Sequence, residues 1–256
     1  MAKRVMIQGT ASSVGKSLLV TALCRIFYQE GYRVAPFKSQ NMASDTFVTK
    51  AGQEIARSQA VQAAACGMEP TYQINPIVLK PTGPKQSQLI INGEVVGFMS
   101  AQDYHEQKPA LRKVVKEAYD QLSKDYDVIV IEGAGSPAEI NLREHDLVNM
   151  GLAELVDAPV ILVGDISLGG VFAALYGTLM LLSPGEQARI KGFIINKFIG
   201  DPLLLQPGID LIQERMAKPC LGVLPYLEAK DLDYDRLADA IRGNIDLDKM
   251  KQIMGL

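Results

Sequence analysis

The chain has 256 residues, 48% of them apolar, enough for one large domain or two small ones burying roughly 70–75% of the unfolded surface. Its 26 basic and 29 acidic residues leave a formal charge of -3 and are spread along the chain, so no broad positive field draws in nucleic acid or an anionic membrane. The N-terminal stretch is too quickly interrupted by glycine for a secretion signal, and the apolar runs stop short of the 18 or so residues of a membrane span; a soluble, cytoplasmic protein is expected.

Short β-branched runs alternate with amphipathic stretches, the pattern of an α/β fold with a mostly parallel central sheet and helices on both faces. The first strand is expected at residues 5–8. A helix follows from near Gly15 to about Glu30, because Leu18, Leu19, Ala22, Leu23, Ile26 and Phe27 share one stripe and Gly31 can end it. A strand at 33–37 and a helix at 55–66 come next. Residues 75–97 carry Pro76, Pro81, Pro84 and the turn pair Asn92-Gly93, which predicts an extended insertion with a small hairpin able to border a substrate. Beyond it we expect helices at 110–124, 147–155 and 171–182, and strands at 128–131, 160–164, 192–196 and 221–224. These strands lack strict polar alternation, as strands covered on both faces do. The acidic stretch 228–235 leads into a helical tail ending at 256, and without repeats or low-complexity linkers the whole is expected to be a single domain with its core at about 1–227.

Between the first strand and first helix stands Gly9-Thr10-Ala11-Ser12-Ser13-Val14-Gly15-Lys16-Ser17. In that setting the segment reads as a P-loop, so the fold is expected to be that of a P-loop NTPase. Small residues let backbone N–H groups surround phosphate oxygens, the helix N-terminus adds partial positive charge, Lys16 reaches the β/γ-phosphates, and Ser17 can ligate magnesium. Gly9, Thr10, Ser13, Val14 and Gly15 are thus nucleotide-binding candidates. The first glycine of the usual pattern is displaced by one position, with Thr10 in its place. A bland glycine turn with a solvated lysine is the alternative, but a second motif speaks against it. Glu132-Gly133-Ala134-Gly135 ends an apolar strand, where open α/β sheets bind ligands, and Glu132 can hold magnesium opposite Ser17. Lys38 ends the second strand, where an ammonium can neutralise transferring phosphate oxygens or serve as an ordinary strand-end lysine. Asn196 ends another strand, with an amide suited to the edge of adenine.

Cys24, Cys66 and Cys220 are widely spaced and form no Cys-x-x-Cys pair. They are expected to be thiols packed inside a reduced protein. His105 and His145 have no neighbours at metal-ligand spacing and are read as surface or hydrogen-bonded residues.

Four segments together resemble the ATP-dependent synthetase domain shared by dethiobiotin synthetase and the cobalamin-pathway amide synthases, above all the N-terminal domain of the cobyric acid synthases. They are Gln8-Gly-Thr-Ala-Ser-Ser-Val-Gly-Lys-Ser17, Pro36-Phe-Lys-Ser-Gln-Asn-Met42, Glu132-Gly-Ala-Gly-Ser-Pro-Ala-Glu-Ile-Asn-Leu142 and Lys191-Gly-Phe-Ile-Ile-Asn-Lys197. The displaced P-loop glycine is the form this family uses. The resemblance implies a dethiobiotin synthetase-like fold binding ATP and Mg2+, with Lys16 and Lys38 catalytic and Ser17, Glu54 and Glu132 holding the metal. It makes Asn196 the adenine reader and places Asn41, Ser136, Glu139 and Asn141 on the substrate side. The implied reaction converts a carboxylate into an acyl phosphate that ammonia displaces; in cobyric acid synthases the carboxylates belong to a corrinoid. A homodimer is also implied.

Two departures qualify the resemblance. No cysteine stands in the setting of the family's C-terminal glutaminase, so that domain is expected to be absent, leaving a separate glutaminase subunit, free ammonia or the remainder of a longer protein as nitrogen source. Asp165-Ile-Ser-Leu-Gly-Gly170 lacks the acidic-arginine pair usual in cobyric acid synthases and is nearer to dethiobiotin synthetases, which act on a small diamine. A partition-type ATPase that switches protein partners is a third reading, although its usual early P-loop lysine is replaced by Ala11.

Overall fold

A computed structural model describes residues 2–83, 86–144, 146–227 and 233–256, without the side chains of Ala101, Gln102, His105, Glu106 and Lys108. Pro84, His145 and residues 228–232 of the acidic stretch lie outside the described residues, as does the side chain of His105. The elements run β1 (Lys3–Gly9), α1 (Lys16–Gln29), β2 (Val34–Phe37), β3 (Gln40–Met42), β4 (Thr46–Val48), β5 (Glu54–Ala56), α2 (Arg57–Ala65), β6 (Ile77–Gly83), β7 (Gln86–Ile91), β8 (Glu94–Met99) and α3 (Ala101–Asp125). They continue with β9 (Val128–Glu132), α4 (Met150–Leu155), β10 (Val160–Asp165), α5 (Val171–Met180), α6 (Pro184–Arg189), β11 (Ile190–Phe198), α7 (Gln206–Met216), β12 (Cys220–Pro225), α8 (Tyr234–Arg242) and α9 (Leu247–Met254).

The six strands expected from the pattern form one parallel sheet in the order β12-β11-β10-β1-β9-β2. Every residue of β9 is buried, as is the run from Val5 to the end of β1, which is why apolar side chains occupy consecutive positions there. Flanking helices cover the sheet, α1 packing on β9 and β2 and α5 on β10. The insertion is a second sheet, β3-β6-β7-β8, in which β6, β7 and β8 run antiparallel. Asn92 and Gly93, at φ 52° and 83°, make the tight β7–β8 turn that their sequence predicts.

Among the boundaries that differ from the periodicity, two have a clear local cause. The helix expected at 110–124 begins at Ala101, because Ser100 and Asp103 close a capping box and Pro109 is carried inside the helix. The helix expected from residue 55 begins at Arg57, since Glu54–Ala56 pairs with Thr46–Val48 as a small antiparallel ribbon. The tail folds back on the body: Arg25 of α1 meets Asp235 at 2.7 Å, and the Asp246 N–H donates to Leu221 O at 2.7 Å. Among the described residues no helix is long and apolar enough to cross a membrane.

Candidate phosphate site

Strand order alone assembles the site. β1 is central, with β9 and β10 on its two sides, so the loop leaving Gly9 emerges between Glu132 and Asp165, with Lys38 beyond one and Asn196 beyond the other. All are at carboxyl ends of parallel strands, where such sheets bind ligands. The loop first extends the ladder, Thr10 N–H donating to Val163 O at 2.9 Å. It then turns through Ser13 at φ 59° and Gly15 at φ 100° into α1. A Cβ on Gly15 would lie 2.1 Å from Asn196 Nδ2, so both conformation and space require glycine.

Lys16 arches back over the loop, its Nζ donating to Ala11 O and Gly135 O, each at 2.9 Å. Burial pulls this ammonium down to about 8, with Glu132 acting to raise it and Lys38 to lower it further. Glu132 is buried and takes three donors: Ser17 Oγ at 2.8 Å and Lys38 Nζ at 2.6 Å on Oε1, and Gln62 Nε2 at 2.6 Å on Oε2. Ser17 and Glu132 therefore stand together as hard oxygen donors of the type magnesium takes, and Lys38 balances the carboxylate charge. Among the described residues no three His, Cys, Asp or Glu side chains gather as a metal cluster.

Asn196 is buried beneath the loop, Nδ2 donating to Val14 O at 2.8 Å and Oδ1 accepting from Lys197 N–H at 2.8 Å. Lys197 adds a strut: its Nζ donates to Ser13 O at 2.7 Å and pairs with Asp165 at 2.6 Å. Burial would raise the Asp165 carboxyl, but Lys197 and Ser167 outweigh it and hold it below the usual range.

The substrate-side candidates divide. A cavity of about 230 Å3 is lined by Gln40, Met42, Ser136, Glu139, Arg143 and Asn149 among others. Ser136 and Glu139 are thus on its wall, Glu139 Oε1 accepting from Ser136 N–H at 2.9 Å, whereas Asn141 is exposed on the turn Ile140–Leu142. Asn41 spends its amide N–H groups on α2, reaching Ser58 Oγ at 3.0 Å and Gln59 Oε1 at 2.7 Å. A cavity of about 640 Å3 between Lys3, Arg4, Asp157 and Arg189 lies at the opposite, amino-terminal edge of the sheet and has no part in this site.

Glu54 does not join Ser17 and Glu132 in this structure. Its carboxylate is taken by Lys80 Nζ at 2.7 Å and Thr46 Oγ1 at 2.5 Å. Burial acts to raise it, but these two bonds prevail and hold it below the ordinary carboxylate range. A carboxylate with a half-buried ammonium at contact distance has its charge balanced locally.

Sequence reasoning missed Gln62, Lys197 and Asp165. Gln59 and Gln62 sit three apart in an otherwise alanine-rich helix, both buried, and that spacing was the available signal, since polar residues sharing a buried helical face need partners. Gln8 Oε1 and Asn149 Oδ1 are further buried acceptors without a protein donor.

Residues 5–236 match the CbiA family, described as the CobQ/CobB/MinD/ParA nucleotide binding domain. The chain is 57% identical over 232 residues to a cobyric acid synthase of Clostridium botulinum (strain ATCC 19397 / Type A), covering 91% of this chain and 47% of that protein. A cobyric acid synthase of Thermoanaerobacter sp. (strain X514) is 58% identical over 228 residues, covering 89% of this chain and 45% of that protein. The chain thus spans about half the length of the curated relatives it matches. In fold it is similar to the signal recognition particle receptor FtsY from Elizabethkingia anophelis in complex with GDP, with a TM-score of 0.53 at 17% identity over 94% of this chain and 63% of that one. FtsY of Thermotoga maritima gives 0.52 at 18% identity, over 94% and 68%. The P-loop with its displaced glycine, Glu132 at the neighbouring strand end and the match over most of the chain lead to one conclusion: this protein belongs to the CobQ/CobB/MinD/ParA nucleotide-binding domain family.

Proposed function

We propose that the chain binds ATP with magnesium and activates a carboxylate for amidation, in the manner of the synthetase half of a cobyric acid synthase. The observation that carries this reading is the joining of Lys16, Ser17, Lys38 and Glu132 at the mouth of the P-loop, beside a cavity walled by Ser136 and Glu139. A carboxylate is a poor acylating agent because oxide would have to leave. Transfer of the γ-phosphoryl group makes an acyl phosphate, from which ammonia displaces phosphate.

Two anions must therefore approach each other. Lys16 and Lys38 offset their repulsion, and the loop's N–H groups orient the triphosphate. Ser17 and Glu132 would hold magnesium, which supplies further positive charge to the phosphate oxygens. Glu54, committed to Lys80, is not assigned to the metal. Asn196 carries the loop and keeps one N–H and one lone pair for an adenine edge. The identity to cobyric acid synthases favours a corrinoid carboxylate in cobalamin biosynthesis as acceptor over a small diamine.

The test is to incubate the protein with magnesium, ammonium, ATP or GTP and one candidate acid at a time, cobyrinic acid a,c-diamide and diaminopelargonate among them. ADP release and product mass are followed together. ATP-dependent gain of amide nitrogen on the corrinoid is expected. Turnover of the diamine instead, or hydrolysis that rises only with a protein partner, would overturn the reading.

A further inference from the structure

We propose that the cavity at the amino-terminal edge of the parallel sheet is a second ligand site, taking a small organic or inorganic polyanion that bears several carboxylates or phosphates. The inference is independent of the reaction proposed above.

Strand order sorts charge along that edge. The cavity of about 640 Å3 lies over the starts of β1, β10 and β11, neighbours in the sheet, and falls within the size range of small-molecule sites. Its charged lining is Lys3, Arg4, Arg189 and Lys191 against Asp157 alone. This is a local excess of positive charge on a chain whose formal charge is -3. Lys218 extends the excess toward β12: Phe193 N–H donates to Pro219 O at 3.0 Å, which sets the residues leading into β12 beside the start of β11. Burial, and then the nearby charge of Lys191, pull the Lys218 ammonium below its usual range.

The acid on the wall is already engaged. Asp157 Oδ2 accepts from Arg4 Nη2 at 3.3 Å and Oδ1 from Arg189 Nη1 at 3.0 Å, while its backbone O accepts from Arg4 Nε at 3.0 Å. Asp157 therefore orients two guanidinium groups and has nothing left for the lysines. Among the described residues no carboxylate engages Lys3 or Lys191, both of them exposed. Like charges gathered without a counter-ion repel one another, and an anion seated between them relieves that repulsion. Ala158, Gly185 and Ala188 leave the space between the basic groups open, since none carries a side chain longer than a methyl. A floor of small apolar groups under a cationic rim suits the body and the charged arms of a polyanion, and it repels a metal ion.

The site is separate from the P-loop. β1 starts at the cavity and ends at Gly9, seven residues along, which is roughly 20 Å at about 3.3 Å per residue. Both sites can be filled together, and either can be disabled alone.

The experiment titrates the folded, full chain with sodium citrate and, separately, with inorganic tripolyphosphate, following heat in a calorimeter without magnesium and against sodium chloride of matched strength. The Lys16→Met variant silences the P-loop. A single anion is expected to bind that variant, citrate alone marking a carboxylate ligand, tripolyphosphate alone a phosphate ligand, and both a site that reads charge only. Adding Lys3→Gln and Lys191→Gln should weaken binding at least about tenfold, whereas Lys3→Arg and Lys191→Arg, which keep the charge, should retain it. The proposal is overturned if neither anion gives heat at millimolar concentration, if all binding disappears with Lys16→Met, or if the two glutamines leave the affinity unchanged. None of these readouts depends on turnover.

Discussion

Replacing Lys16 by methionine is expected to make the protein more stable while depriving it of its nucleotide. The Lys16 ammonium is held at about 8 against an ordinary 10.5, so keeping it charged in the folded site costs roughly 3 kcal/mol at neutral pH. Methionine of similar length removes that cost and also forfeits the bonds to Ala11 O and Gly135 O. At half-buried carbonyls that water can reach, each is worth about 0.5–1 kcal/mol. The net expectation is a gain of about 1–2 kcal/mol at pH 7, or about 2–8 °C in melting temperature for a chain of this size. The pH dependence has a definite sign. Below about 8 the lysine is charged in both folded and unfolded chains, and the cost is fully present. Between about 8 and 10.5 the folded lysine is neutral while the unfolded one still binds a proton, so wild-type stability rises with pH relative to the variant. Above 10.5 the cost is gone. Urea unfolding of both proteins from pH 7 to 10.5 measures the difference directly, and calorimetry should show ATP affinity reduced at least tenfold in the variant. Parallel stabilities across that range, or a variant less stable at pH 7, would refute the claim that Lys16 is a desolvated charge held ready for phosphate.

Glu132→Ala leaves Lys38 as a buried ammonium without its carboxylate and should cost about 3–5 kcal/mol in urea unfolding; adding Lys38→Met should recover most of it, and equal midpoints for single and double variants would contradict the pairing. Asn196→Ala removes both the bond under Val14 and the one from Lys197, so calorimetry should find inorganic triphosphate weakened severalfold and ATP weakened more. Unchanged triphosphate binding would show that the amide does not support the loop.

Much of the site was legible in the linear sequence because its parts obey local rules. A glycine-containing turn between an apolar strand and an amphipathic helix exposes N–H groups wherever it occurs, and Glu132 and Lys38 end apolar runs whose strand character depends on near neighbours alone. The same is true of the Asn92-Gly93 turn, whose positive φ values are a property of those two residues. What the sequence did not contain is who neutralises whom. Gln62 reaches Glu132 across 70 positions and Asn196 reaches Val14 across 182, and neither distance has meaning until the strand order is set. Glu54 is a metal ligand only by resemblance, its spacing alone reading as a helix-start carboxylate, and the second sheet brings Lys80 against it. Backbone conformation is settled by the nearest few residues, whereas the partner of a buried charge is settled by which elements share a boundary, and that is decided only when the sheet assembles.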